Sequence, residues 1–74
     1  MKTLNNGDYY KLLVMFNENE KITRKRLLRM ENQGINEVLI DSALELGLIE
    51  EADMNDINEI RYRITDKGKK IRDN

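Results

Sequence analysis

Apolar residues recur at helical spacing through the first two thirds of the chain and alternate at strand spacing after Gly47. This change of period at a single glycine constrains the fold more than any other feature of the sequence. Helices must precede strands, and a two-stranded hairpin, which is marginal in water by itself, must pack on those helices. The sequence therefore predicts a small α+β domain.

Cap residues and glycines indicate where the predicted elements begin and end. Asp, Asn and Thr side chains accept hydrogen bonds from the free N–H groups of a first helical turn, and glycine often follows a last turn. Gly34 and Gly47 are placed accordingly after the second and third helices. The predicted elements are a first helix after the N-cap Asp8, a short extended segment at Ile22, a second helix from Arg24 to about Glu31 after the N-cap Thr23, a third helix from the N-cap Asn36 to about Leu46, strands over 48–52 and 59–65, and a short helical turn or frayed tail over 66–74.

Helical spacing divides the third helix into an apolar side, expected to be buried, and a polar outer side. The apolar side consists of Leu39, Ile40, Ala43, Leu44 and Leu46, and the outer side consists of Val38, Asp41, Ser42 and Glu45. Strand spacing divides the second strand in the same way, with Ile60, Tyr62 and Ile64 toward the core and the arginines between them outward.

The 74 residues include no cysteine and no histidine, and the four glycines are isolated from one another. The chain thus lacks the usual nucleophile, general base and zinc ligands, and it has no glycine-rich phosphate loop. We therefore expect no enzymatic activity, no cofactor and no bound metal. Without a disulfide, the stability of so small a domain must come from packing.

No apolar run approaches the roughly 20 residues of a membrane-spanning helix, and the first residues do not resemble a signal peptide. The absence of cysteine suits a reducing compartment. We expect one cytoplasmic domain over residues 1–74, with an ordered core over about 8–71 and no membrane partner.

Charge is distributed unevenly along the chain, although the net charge is only −1. Residues 1–35 contain seven Lys/Arg and four Asp/Glu, residues 36–59 contain eight Asp/Glu and no Lys or Arg, and residues 60–74 contain six Lys/Arg and two Asp/Glu. An acidic block of net charge −8 therefore separates blocks of +3 and +4. The overall charge does not indicate a nucleic-acid binder, but its distribution leaves room for basic surfaces.

Two segments carry a resemblance to a known kind of domain. The run from Gly34 to Glu50, with Gly47-Leu48-Ile49 near its end, resembles the recognition helix and exit strand of winged helix-turn-helix regulators. The segment from Tyr62 to Ile71 resembles the Y-x-L-T-x-x-G ending of MarR-like and PadR-like repressors. The first part of the chain, from Tyr10-Lys11-Leu12-Leu13 to Leu27-Leu28, is also similar to the opening helices of the same domains, so the resemblance covers about residues 9–71.

This resemblance implies three helices and a two-stranded antiparallel wing, with a short third strand as an option. It also implies a DNA-binding transcriptional regulator of small prokaryotic or phage type, whose third helix enters the major groove while the wing contacts adjacent phosphates. The sequence departs from that pattern where Asp41 and Glu45 lie on the outer side of the third helix and Asp53 and Asp56 at the wing tip.

Candidate DNA-binding residues come from five places in the chain: the second helix, the turn before the third helix, the outer side of the third helix, the second strand and the segment after it. Cations at a helix N-terminus oppose the macrodipole, so the basic start of the second helix invites a phosphate-binding explanation. Amides near the turn before the third helix can contact bases or phosphates without repulsion. The candidates are Arg24, Lys25, Arg26, Arg29, Asn32, Gln33, Asn36, Ser42, Arg61, Arg63 and Lys67.

Each candidate surface has alternative explanations. The cations of the second helix could form a solvated basic face or pair with acidic residues of the chain itself. Arg61 and Arg63 could protect an edge strand rather than bind phosphate. The outer side of the third helix could read bases, remain solvated, or bind a basic protein.

The partner expected from the sequence is double-stranded DNA, and the rival hypothesis is a protein partner of an antirepressor or adaptor. A monomer or a weak homodimer is expected. Tyr9 or Tyr10 could serve a dimer contact or simply pack on the first helix, whereas Tyr62 is expected in the core with its hydroxyl group at the edge.

Overall fold

A computed structural model describes residues 5–17, 20–29 and 34–73 of the chain. Within those ranges the protein is an α+β domain with four helices and a three-stranded antiparallel sheet. The elements are α1 (Asn6–Leu13), β1 (Ile22–Thr23), α2 (Arg24–Leu28), α3 (Glu37–Glu45), β2 (Ile49–Met54), β3 (Ile60–Ile64) and α4 (Asp66–Arg72).

The first helix begins earlier than predicted. Asn5, not Asp8, is the N-cap of α1, because the Asn5 side chain accepts from the Asp8 amide while the Asp8 carboxylate accepts from the Asn5 amide. This reciprocal capping box satisfies two amide donors, whereas a cap at Asp8 would satisfy fewer. The predicted cap is therefore wrong, although Asp8 does bond the helix start.

The caps predicted for the next two helices are confirmed. The Thr23 hydroxyl accepts from the Arg26 amide at 3.2 Å, and the Asn36 side chain accepts from the Leu39 amide at 3.0 Å. Gly34 has φ 88°, as expected for the turn before α3. The predicted end of the second helix near Glu31 lies outside the described residues.

The sheet has the order β1-β3-β2, so β3 is its central strand. Ile22 pairs with Tyr62 on one side of β3, and Ile49 pairs with Ile64 on the other. The optional third strand is thus confirmed, and the interpretation of the β3 arginines as edge protection is wrong. The register shifts between Glu51 and Asp53, so Ala52 forms a bulge in β2.

The end of the described chain is more regular than predicted. Residues 66–72 form α4, whose N-cap is Thr65, with its hydroxyl accepting from the Gly68 amide at 3.1 Å. The helix packs against α1 and β3, and the Arg72 guanidinium donates to the Phe16 carbonyl at 2.7 Å. Tertiary packing explains why this segment is a helix rather than a frayed tail.

The core forms where the apolar sides of α1, α3 and the sheet meet. Leu46 was expected in this core, but it is 46% exposed because it follows the last turn of α3. Ile60, the first residue of β3, was also expected to face the core but is 36% exposed. The buried residues are Leu12, Leu13, Phe16, Ile22, Leu27, Ile35, Leu39, Ile40, Ala43, Leu48, Ile49, Tyr62 and Ile64.

None of the helices in the described ranges has both the length and the apolar character needed to cross a membrane.

Gly68 gives a direct test of this packing, because it is buried where α4 crosses the sheet. A Cβ atom at Gly68 would collide with the Leu48 carbonyl oxygen and lie 2.8 Å from Cγ1 of Ile64. We expect Gly68→Ala to lower the free energy of unfolding by about 2–3 kcal/mol in urea denaturation. The matched control is Gly7→Ala at the exposed start of α1, where a Cβ atom would lie 3.1 Å from Oδ1 of Asn5, a side-chain atom near the surface. We expect this control to change the free energy of unfolding by less than about 1 kcal/mol. Equal effects of the two substitutions would contradict the close contact.

Candidate functional site

The outward side of α3 forms an acidic surface around one exposed valine. Glu37, Asp41 and Glu45 follow one another at intervals of one helical turn, and Val38 lies beside them. Val38 is 66% exposed, and the side chains of Glu37 and Asp41 are 68% and 65% exposed. These four residues, named the α3 face below, include no cation. Ser42 lies at the border of the α3 face and is half-buried.

Arg24 of α2 reaches toward the α3 face instead of solvent. Its Nη2 lies 2.8 Å from Oδ1 of Asp41, and its Nη1 lies 4.0 Å from Oε1 of Glu37. Its Nε donates to the Tyr62 hydroxyl at 3.3 Å, and its guanidinium carbon is 5.6 Å from the centre of the Tyr62 ring. For Arg24, intramolecular pairing is therefore the explanation that the structure supports.

The charge state of Arg24 follows from the same contacts. Partial burial lowers the pKa of Arg24, but the hydrogen bonds to Asp41 and Tyr62 raise it more, so the net pKa lies above its ordinary value. The prediction that Tyr62 is a core residue with its hydroxyl group at the edge is confirmed.

The outer side of the sheet is covered by ion pairs. Arg61 binds Asp53 through two hydrogen bonds, of 2.6 and 2.8 Å, and Lys21 adds a third of 2.9 Å. Arg63 binds Glu50 at 2.9 Å. The bulge at Ala52 places Asp53 opposite Arg61. Arg61 and Arg63 of β3 are thus engaged with carboxylates of β2.

These pairs shift the pKa of Asp53 and of Arg61. Hydrogen bonds from Arg61 and then from Lys21 lower the pKa of Asp53 to about 2. The hydrogen bond from Arg61 to Asp53 likewise raises the pKa of Arg61. Both side chains are therefore charged at neutral pH.

Two further candidate cations also have partners within the chain. Arg26 lies 3.5 Å from Glu20 in an exposed pair, and Lys67 donates to the Leu46 carbonyl at 2.9 Å. Surface pairs of this kind are weak, so Arg26 could exchange its partner for another anion. The Lys67 contact ties α4 to the end of α3.

Lys25 and Arg29 differ from the other basic candidates. Both side chains are exposed, and neither has an ion pair with a residue in the described ranges. Asn36 is also exposed, with its side-chain oxygen engaged as the α3 cap. Asn32 and Gln33, the other two amide candidates, lie outside the described residues.

A cavity that sequence reasoning missed adjoins the α3 face. It has a volume of about 370 Å³ and is lined by Leu28, Ile35, Asn36, Glu37 and Val38. Its lining residues come from the end of α2 and from the start of α3 with the two residues before it. The one sequence signal for it was an exposed apolar residue, Val38, on an otherwise polar side of a helix.

Within residues 5–17, 20–29 and 34–73, no cluster of three or more carboxylates is arranged to hold a metal ion.

Tyr10 is 49% exposed on α1, and Tyr9 packs partly against the core.

Comparison of the chain with protein-family models, with curated proteins and with solved structures found no match.

The Asp53 cluster predicts a specific pH dependence. Because the pKa of Asp53 is lower in the folded chain than its ordinary 3.8, the cluster stabilises the fold above about pH 4. That contribution is lost as the pH falls toward 2. We expect the Asp53 carboxyl carbon to titrate near pH 2 by NMR, and Arg61→Gln to move that midpoint upward. A midpoint of 3.8 in the unaltered protein, or one that Arg61→Gln leaves in place, would contradict the cluster.

Proposed function

We propose that this domain is a winged helix that binds a basic protein segment through its α3 face and has no catalytic role. The element order, with α1, β1, α2 and α3 preceding the β2–β3 hairpin, is the order that the resemblance to winged helix-turn-helix regulators implies. The central position of β3, beside a short β1, supports the same assignment. The wing is then the hairpin of β2 and β3.

The acidic α3 face is the observation that carries the choice of partner. A DNA-binding winged helix inserts this helix into the major groove, between two rows of phosphates. Here that helix presents Glu37, Asp41 and Glu45 and no cation. These carboxylates would repel the phosphates, whereas they would attract a Lys or Arg side chain of a protein. Arg24 already offsets much of the charge of Asp41, so Glu37 and Glu45 contribute most to both effects.

The arginines around α3 do not compensate for these carboxylates. Arg24 is held by Asp41 and Tyr62, and the wing arginines Arg61 and Arg63 are held by Asp53 and Glu50. A phosphate contact by any of them would have to replace an existing hydrogen bond to a carboxylate. Their net contribution to phosphate binding is therefore small.

The spacing of the carboxylates indicates the shape of the partner segment. Residues four apart on a helix lie on one side of it, so Glu37, Asp41 and Glu45 form a stripe along α3. A helical segment with cations one turn apart could place a cation opposite each carboxylate. Such pairing, at exposed side chains, is expected to weaken as salt is added.

The test is an NMR titration with a defined probe, a synthetic helical peptide whose lysines are one turn apart. At low salt we expect backbone shifts centred on residues 37–45. Glu37→Gln combined with Glu45→Gln should weaken binding about fivefold, since each exposed ion pair contributes only a few tenths to about 1 kcal/mol. Both substitutions keep the contact between Arg24 and Asp41.

The matched control combines Glu51→Gln with Asp56→Asn, which removes two exposed carboxylates from the β2–β3 hairpin instead of α3. We expect it to bind the peptide as tightly as the unaltered protein at the same salt concentration. Equal weakening by the two double variants would show binding through net charge alone. That result, or no shift of residues 37–45, would overturn the proposed function.

A second candidate function is the DNA-binding regulator that the resemblance implies. The observation that favours it is the pair of exposed cations Lys25 and Arg29, which have no ion pair in the described part of the chain. Asn36, at the start of α3, is exposed as well. In this alternative α2 holds the phosphate backbone, and the acidic part of α3 stays out of the groove.

The second candidate predicts binding of a mixed-sequence DNA duplex that depends on these two cations. Lys25→Gln with Arg29→Gln should reduce the slope of log K against log salt by about 2, since each phosphate contact contributes about 0.9. Lys69→Gln with Lys70→Gln on α4 is the matched control and should leave the slope unchanged. Fluorescence anisotropy at several salt concentrations measures both. Absence of DNA binding at low salt would remove this candidate.

A further inference from the structure

We propose that the cavity between α2 and α3 receives one large apolar side chain of the basic partner segment. The proposal rests on the proposed function, because it concerns how the same segment is held and selected. The apolar side chain would act as an anchor, adding an apolar contact to the α3 face, which would otherwise recognise charge alone.

The cavity has an apolar lining on two sides. Ile35 is almost fully buried and packs in the core, while Leu28 is half-buried against that core. Val38 stands at the mouth and is 66% exposed. Apolar surface of Leu28 and Val38 therefore remains in contact with water, and covering it would be favourable.

The volume of the cavity, about 370 Å³, is sufficient for one large apolar side chain. Small-molecule sites in proteins span roughly 300–1,000 Å³, so this cavity lies at the lower end of that range. Protein interfaces commonly concentrate their affinity in one or a few anchors that fill such depressions.

The residues at the rim of the cavity determine which side chains of the partner segment must lie next to the apolar one. Glu37 belongs to the lining, and Asp41 lies one turn farther along α3. Asn36 uses its side-chain oxygen as the cap of α3, which leaves its amide N–H groups able to donate at the rim. The ligand that complements these groups has a Leu-like side chain next to a Lys or Arg.

Charge complementarity favours an apolar side chain that is flanked by cations over one that is flanked by carboxylates. An apolar segment flanked by carboxylates would be repelled by Glu37 and Asp41, whereas one flanked by cations would be attracted. The anchor would then supply selectivity between basic segments that satisfy the α3 face equally well.

The experiment compares two synthetic helical peptides with the same lysines one turn apart. One carries a leucine one turn from the first lysine, and the other carries glutamine at that position. We expect the leucine peptide to bind the unaltered protein about tenfold more tightly, as burial of one such side chain predicts. Nuclear Overhauser contacts should join the leucine methyl groups to the methyl groups of Leu28, Ile35 and Val38.

Two matched variants locate the effect. Val38→Asn, at an exposed position, should reduce the preference for leucine to about twofold or less. Val14→Asn, at a position 44% exposed on α1, should retain the tenfold preference. Circular dichroism of both variants verifies that the fold is kept.

The outcomes separate this proposal from the proposed function. Equal affinity for both peptides, with shifts still centred on residues 37–45, would overturn the anchor and leave the acidic surface standing. A leucine preference that Val38→Asn leaves intact would also overturn the anchor. Failure of both peptides to bind the unaltered protein would overturn the two proposals together.

Discussion

The central strand β3 is the element on which both the core and the surface charge of this domain depend. One side of β3 places Tyr62 and Ile64 in the core, and the other side places Arg61 and Arg63 beside carboxylates of β2. The strand is held by backbone pairing on both edges, to β1 and to β2. Tyr62 adds a polar link between the sheet and α2 to this packing, through its contact with Arg24.

The contact of Arg24 with Tyr62 and Asp41 links packing to function. It brings together α2, α3 and β3. It also engages the positive charge of Arg24, the first residue of α2, with a carboxylate of the chain instead of a phosphate. The same pairing recurs on the sheet, where carboxylates of β2 neutralise both arginines. What remains exposed is an acidic α3 face with a valine and a small apolar cavity beside it. A basic segment with an apolar anchor complements that combination better than a phosphate backbone does.

Much of the fold followed from local patterns in the sequence. The caps Thr23 and Asn36, the positive φ of Gly34 and the burial of Leu39, Ile40 and Ala43 were predicted because each depends on residues within a turn or two. The cap of α1 was placed too late, since Asn5 and Asp8 both suit a cap and only their reciprocal bonding decides between them. The segment that forms α4 was predicted as a short helical turn or frayed tail. The prediction fell short because the helix is stabilised by packing on α1 and β3, which no local pattern shows.

The sequence by itself determined the order of helices and strands, the acidic character of α3 and the exposure of Val38, because these follow from periodicity and residue type. The tertiary structure alone decided which Lys and Arg side chains, among the described residues, pair with a carboxylate of the chain. Arg24 and Asp41 are 17 residues apart, and Lys21 and Asp53 are 32 apart, so no local pattern joins them. Folding brings each pair within hydrogen-bond distance, and the basic residues that suggested phosphate binding become partners of the chain's own carboxylates. The cavity between α2 and α3 arose in the same way, from the approach of two helices.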